Sequence, residues 1–160
     1  MVLGMTAPDA DNPLLLEQQA CFALYAASRA VTDVYRPLLA ELDLTYPQYL
    51  VLLVLWERDA QPVKQIGAAL QLDYGTVSPL LKRLEARGLV TRQRQPEDER
   101  TVVVRLTSDG HALRERALAI PSVIGCALGL DDKAARALIK TLHAVTESAN
   151  SFEGEPHAQP

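Results

Sequence analysis

VKQIGAALQLDYGTVSPLLKRLEARGLVTRQRQPEDERTVVVRL, residues 63–106, is the stretch whose reading decides the fold. Val63 to Leu70 carries apolar residues at helical spacing, and Gly75 to Arg87 repeats the pattern with Val77, Leu80, Leu81 and Leu84 on one face. A four-residue linker containing Asp73 and Tyr74 separates them. Two short helices joined by a tight turn make a helix-turn-helix. Gly88 ends the second, and the β-rich runs Leu89–Arg94 and Thr101–Leu106 flank a polar segment, residues 95–100, which reads as a hairpin. A hairpin after a helix-turn-helix is a wing.

Such a motif lays its second helix in the major groove. The residues placed to read bases or hold phosphates are Tyr74, Thr76, Ser78, Pro79, Lys82 and Arg83, and from the hairpin Arg92, Arg94 and Arg100, with Arg105 adding charge. Asp98 either orients Arg100 or only initiates a turn. Taken alone, Lys82 and Arg83 would be ordinary surface charges. The chain as a whole is acidic, net −4, yet residues 74–105 hold seven Lys/Arg against four Asp/Glu. Basic charge is therefore concentrated where a duplex would be met.

Outward from this core, Thr45-Tyr46-Pro47-Gln48 is a capping sequence before the apolar run Tyr49–Trp56. Upstream, Asn12-Pro13 predicts the start of a long helix whose stripe Leu24, Ser28, Val31, Tyr35, Leu38 and Leu42 faces inward or toward a partner, bent or broken at Pro37. Downstream, Thr107 to Gly110 caps a helix running to about Ala127, and Asp131 caps a last one with Leu138, Ile139, Leu142 and Val145 on one face. The expected organisation is one mainly α domain with a small β wing over 12–147, winged module about 46–107, outer helices about 12–42 and 108–147. Residues 1–11 and 148–160 are expected to be disordered.

Composition excludes several classes. The 160 residues suit one domain, and the longest apolar run, Leu50–Trp56, is far below the roughly 20 residues a spanning helix needs. With no secretory leader in view, a cytoplasmic protein without membrane contact is expected. His111, His143 and His157 lack companions at metal-ligand spacing, and Gly67 and Gly75 are isolated, so neither metal nor phosphate-loop cofactor is expected.

Two cysteines remain, Cys21 and Cys126. Tyr25 lies one helical turn after Cys21, and Tyr35 and Tyr46 are further phenols able to hydrogen-bond a thiolate while filling apolar space. With its distance from Pro13, Cys21 would gain little from a helix dipole. On spacing alone, a small core residue is the ordinary reading of such a cysteine. Cys126 is expected to close the fifth helix, 105 positions on, and a bridge would need the two Cα atoms within about 7 Å.

Leu80-Leu81-Lys82-Arg83-Leu84-Glu85, Gly88-Leu89-Val90 and Asp98-Glu99-Arg100 resemble the signature of the multiple antibiotic resistance regulator (MarR) family of winged-helix dimers. The stretches 21–29, 35–39 and 44–57 are similar to its branch of organic hydroperoxide resistance repressors. The resemblance implies a reactive thiol at Cys21, hydrogen-bonded by Tyr25, Tyr35 and Tyr46, some of them from the other subunit of a homodimer. It implies a resolving thiol at Cys126 that closes a disulfide, a mixed disulfide with a small thiol being the alternative. The function it implies is a repressor that holds a pseudo-palindromic duplex when reduced and releases it after organic hydroperoxide. Within the fold the rival is release by a small aromatic ligand, and from another class a thiol peroxidase using both cysteines.

Overall fold

The computed structural model describes residue 12, residues 14–95 and residues 98–152; the side chains at 95 and 98–100 lie outside what it describes. Two compact units are formed, divided between Ile120 and Pro121.

In the first unit, α1 (Ala20–Ala40), α2 (Tyr46–Glu57), α3 (Val63–Leu70), α4 (Tyr74–Ala86) and α5 (Ser108–Ala117) surround a three-stranded antiparallel sheet, β1 (Gln61–Pro62), β2 (Val90–Gln95) and β3 (Asp98–Leu106), in the order β1-β3-β2. The helix-turn-helix is as the pattern predicts, with a tighter link. Asp73 caps α4 by accepting from the Thr76 N–H at 2.8 Å, so Tyr74 opens the helix instead of preceding it. The turn needs Gly67: a Cβ there would meet the Leu72 carbonyl oxygen at 2.9 Å, while the Leu72 N–H donates to the Gly67 carbonyl and Gln71 takes a left-handed φ of 54°. Val77, Leu80, Leu81 and Leu84 are buried with Val51, Leu52, Leu55, Ile66, Val90 and Val104. Burying side chains of this size stabilises the unit by about 1.5–3 kcal/mol each.

The hairpin register runs from Val90↔Leu106 to Arg94↔Val102 and shifts at Gln95↔Asp98. Its strands extend further into the tip than expected, and β1, paired Gln61↔Val104 and Pro62↔Val103, has no counterpart in the sequence reading because two residues carry no periodicity.

Three boundaries differ from expectation. The Asn12 side chain accepts from the Leu14 N–H at 3.0 Å and closes a turn; a 3-10 turn follows at Leu16–Gln18, and α1 begins only at Ala20. Pro13 lies outside the described residues. Pro37, exposed at the start of the last turn, does not end α1. The helix expected from Thr107 to Ala127 is two: α5 stops at Ala117 and α6 spans Ile120–Leu128, because Pro121 has no N–H to donate to residue 117 and its ring collides with that carbonyl. Cys126 therefore sits on the sixth helix.

The second unit holds most of α6 and α7 (Asp132–Asn150), which Asp131 caps through the Ala134 N–H at 2.7 Å. The helix continues past 147, so the tail expected from 148 is helical to Asn150. Within the chain by itself, α7 buries none of its residues.

Candidate nucleic-acid interface and thiol site

On α4 the buried face leaves the opposite side outward. Tyr74 (69% exposed), Lys82, Arg83 and Pro79 are exposed and Ser78 is half-buried, a contiguous strip at i, i+4 and i+8 spacing. Thr76 is exposed, but its hydroxyl donates to Asp73 at 3.0 Å, which ties it to the cap.

The hairpin arginines part company. Arg92 donates from Nε at 2.8 Å and from an Nη at 2.6 Å to one Glu85 oxygen, and its backbone N–H donates to the other at 3.1 Å. These bonds hold the Glu85 carboxyl below its ordinary range, against a smaller opposing effect of burial. Arg92, a candidate for phosphate contact, is thus paired with Glu85 in the free chain, and the pair ties β2 to α4. Sequence reasoning missed Glu85, whose partner is fixed only by the crossing of α4 and β2. Arg94 is exposed, while alternation along the hairpin puts Arg105 on the opposite face. The Asp98 and Arg100 side chains lie outside the described ones.

Glu85→Gln is expected to weaken duplex binding several-fold while unfolding costs change by about 1 kcal/mol, the scale of a half-exposed pair. Since the carboxyl is held low in the fold, this stabilisation is complete at neutral pH and disappears only as pH falls through that lowered value. Paired anisotropy and urea titrations of the variant check it; unchanged binding contradicts the fastening role.

Cys21 is exposed and is the second residue of α1, within the first turn, whose N–H groups are unpaired and carry the positive end of the helix dipole. This corrects the expected remoteness from a helix start and removes the buried-filler reading for the isolated chain. Tyr25 is one turn away; its Oη accepts from Arg29 at 3.0 Å and keeps its own O–H to donate. Tyr35 and Tyr46 pack ring on ring across α1 and α2, tilted by 43° with centroids 4.6 Å apart, and Tyr49, which the sequence reading did not single out, lies 5.9 Å from Tyr35. Burial first, then the neighbouring Tyr46 and Tyr49, raise the Tyr35 hydroxyl to about 12; burial likewise raises Tyr46 and Tyr49. All three are protonated donors. Cys126 is exposed on α6, in the other unit. Among the described residues no group of His, Cys, Asp and Glu could hold a metal, and no helix is long and apolar enough to cross a membrane.

A helix-turn-helix with an outward basic strip and an attached hairpin defines a winged-helix DNA-binding regulator. Residues 33–116 match the family model described as transcriptional regulator SarA/Rot. The chain is 49% identical over 138 residues to the organic hydroperoxide resistance transcriptional regulator of Bacillus subtilis, covering 80% of this chain and 92% of that one. Among solved structures it is similar to a MarR-family transcriptional regulator from Rhodococcus, at TM-score 0.73, 25% identity and 82% and 95% of the two chains. It is also similar to AbfR of Staphylococcus epidermidis. The reduced, DNA-bound form of AbfR gives TM-score 0.72, 34% identity and 85% and 95% coverage. Its disulfide form gives TM-score 0.57, 36% identity and 84% and 88% coverage. The chain belongs to the MarR family of winged-helix transcriptional regulators and, within it, is similar to the organic hydroperoxide resistance regulator of Bacillus subtilis.

Proposed function

We propose that the chain is a cytoplasmic, homodimeric repressor that holds a pseudo-palindromic operator while Cys21 is reduced and lets go when an organic hydroperoxide oxidises it. The observation that carries this reading is a distance along α1. Tyr35 lies 14 positions beyond Cys21 on the same helix, about 21 Å at 1.5 Å per residue. A hydrogen bond spans about 3 Å, so the Tyr35–Tyr46 pair cannot serve the sulfur of its own chain. A second copy running antiparallel along the exposed first half of α1, where Phe22 and Leu24 are open, brings its phenols to this thiol and receives the reverse contact.

In the reaction, the Cys21 thiolate attacks the terminal oxygen of the hydroperoxide and the O–O bond breaks. The alkoxide leaves, takes up a proton and becomes the alcohol, and sulfur is left as a sulfenic acid. The Cys126 thiol of the second copy then displaces the hydroxyl as water and closes a disulfide. Drawing α6 toward the partner's α1 would disturb the spacing of the two reading helices, which a palindrome requires. That AbfR in its disulfide form superposes less well on this chain than in its reduced, DNA-bound form supports a change of shape of this kind.

The test is fluorescence anisotropy with a labelled duplex selected from a random pool by the reduced protein. One equivalent of cumene hydroperoxide is expected to release the duplex, and dithiothreitol to restore it. Binding that stays constant through all three steps sinks the reading.

A further inference from the structure

The turn between α1 and α2 is held from outside by two arginines. Three successive carbonyls past the last turn of α1, those of Glu41, Leu42 and Asp43, accept hydrogen bonds from them. Arg116 of α5 donates to Glu41 O at 2.8 Å. Arg87, the residue closing α4, donates to Leu42 O at 3.1 Å and to Asp43 O, and its Nε lies 3.3 Å from the Asp43 carboxylate. Asp43 is in the left-handed region at φ 53°, a conformation that Asp tolerates better than most residues and that puts its carbonyl in line with the arginine. An arginine at a helix C-terminus ordinarily serves the carbonyls of its own last turn. Arg87 instead reaches 44 and 45 positions back along the chain.

Tyr35 and Tyr46 flank this turn along the chain, one on the helix before it and one on the helix after it. Tyr46 opens α2, three residues after Asp43, and its ring packs on Tyr35 of α1, so the pair spans the turn that Arg87 grips. A displacement of either phenol would shift α1 against α2 and with them the short segment between, residues 41–45. Arg87 is rigidly continuous with α4, since its own N–H donates to Arg83 O at 3.2 Å. The far end of α4, Tyr74, is about 18 Å from Ala86, so a tilt of about 5° at the gripped end moves Tyr74 by on the order of 1.5 Å. That is enough to break a hydrogen bond to a base edge.

We infer that Arg87 is the positioning residue through which the state of the Tyr35–Tyr46 pair reaches the reading helix. The inference rests on the redox reading proposed above, and its test separates the two. Full-length Arg87→Gln and Arg87→Lys are compared with the wild type by anisotropy on the selected duplex, reduced and after cumene hydroperoxide. Oxidation of Cys21 is followed in parallel by mass spectrometry after trapping with dimedone. The wild type is expected to lose about 100-fold in affinity on oxidation, Arg87→Gln only about 5-fold, with Arg87→Lys between them, at equal Cys21 oxidation. A residue that merely supports the fold would lower both affinities by one factor and leave their ratio intact. That result overturns the inference, as does full release of the Arg87→Gln protein. Where Arg87→Gln does not fold, the ratio for Arg87→Lys decides in the same way. A wild type that keeps the duplex after Cys21 is oxidised defeats the redox reading itself.

Discussion

Cys21→Ser is expected to hold its operator with the affinity of the reduced wild type, and to hold it still after excess organic hydroperoxide. Serine keeps the size and the hydrogen-bonding capacity of the side chain but has no sulfur lone pair for the O–O bond. The position is exposed in the first turn of α1, so the substitution disturbs no core. Against a shift of about 100-fold on oxidation of the wild type, the variant should change by less than about 2-fold. Cys126→Ser separates the second step: Cys21 should still consume one equivalent of peroxide, and the product should appear as sulfenic acid or a mixed disulfide in place of a crosslinked dimer on a non-reducing gel. Peroxide-driven release of Cys21→Ser at the wild-type dose would show that the signal enters elsewhere.

The largest expected loss of stability comes from a residue with no chemistry. In Gly110→Ala the new Cβ would stand 2.1 Å from the Leu89 carbonyl oxygen and 3.1 Å from Leu106 Cδ2. The first is backbone, already accepting from the Thr107 N–H at 3.1 Å, and cannot turn aside as a side-chain end would. Gly110 also gives its N–H to Thr107 Oγ1 at 3.0 Å and receives the Trp56 indole N–H on its carbonyl at 2.9 Å. Three segments therefore meet here with no free volume: the end of α2, the entry to β2 and the first turn of α5. The substitution is expected to cost about 3 kcal/mol or more, lowering the midpoint of thermal unfolding by roughly 10 °C for a chain of this size. A fall of under about 2 °C in a calorimetric scan would mean that the close approach relaxes without strain.

Gly110 also marks the limit of reading by pattern. In the sequence it is the fourth residue of a cap, Thr107 to Gly110, and the cap is indeed there; nothing in the string says that a strand carbonyl lies against it. The inward face of α4 was legible because helical periodicity is written in the chain itself, and Val77, Leu80, Leu81 and Leu84 are all buried. The hairpin was legible for the same reason. The start of α1 was not: Asn12-Pro13 is a sound start, but its side chain closes a turn, and moving the start to Ala20 changes the surroundings of Cys21 from mid-helix to first turn. The break before Pro121 was written in the chain yet was overridden by a run of residues that suit a helix on either side of it.

The amino-acid order alone determined the helix-turn-helix, its buried stripe and the wing, and supplied the sulfurs and phenols on which the proposed chemistry rests, because local periodicity, caps and side-chain chemistry travel with the chain. Tertiary structure alone decided that Arg92 belongs to Glu85, that Arg87 grips the turn at Leu42 and Asp43, and that Tyr35 packs on Tyr46. These depend on how elements cross in space. A charge carries no mark of its partner, whether 7 or 45 residues away, until the elements have packed.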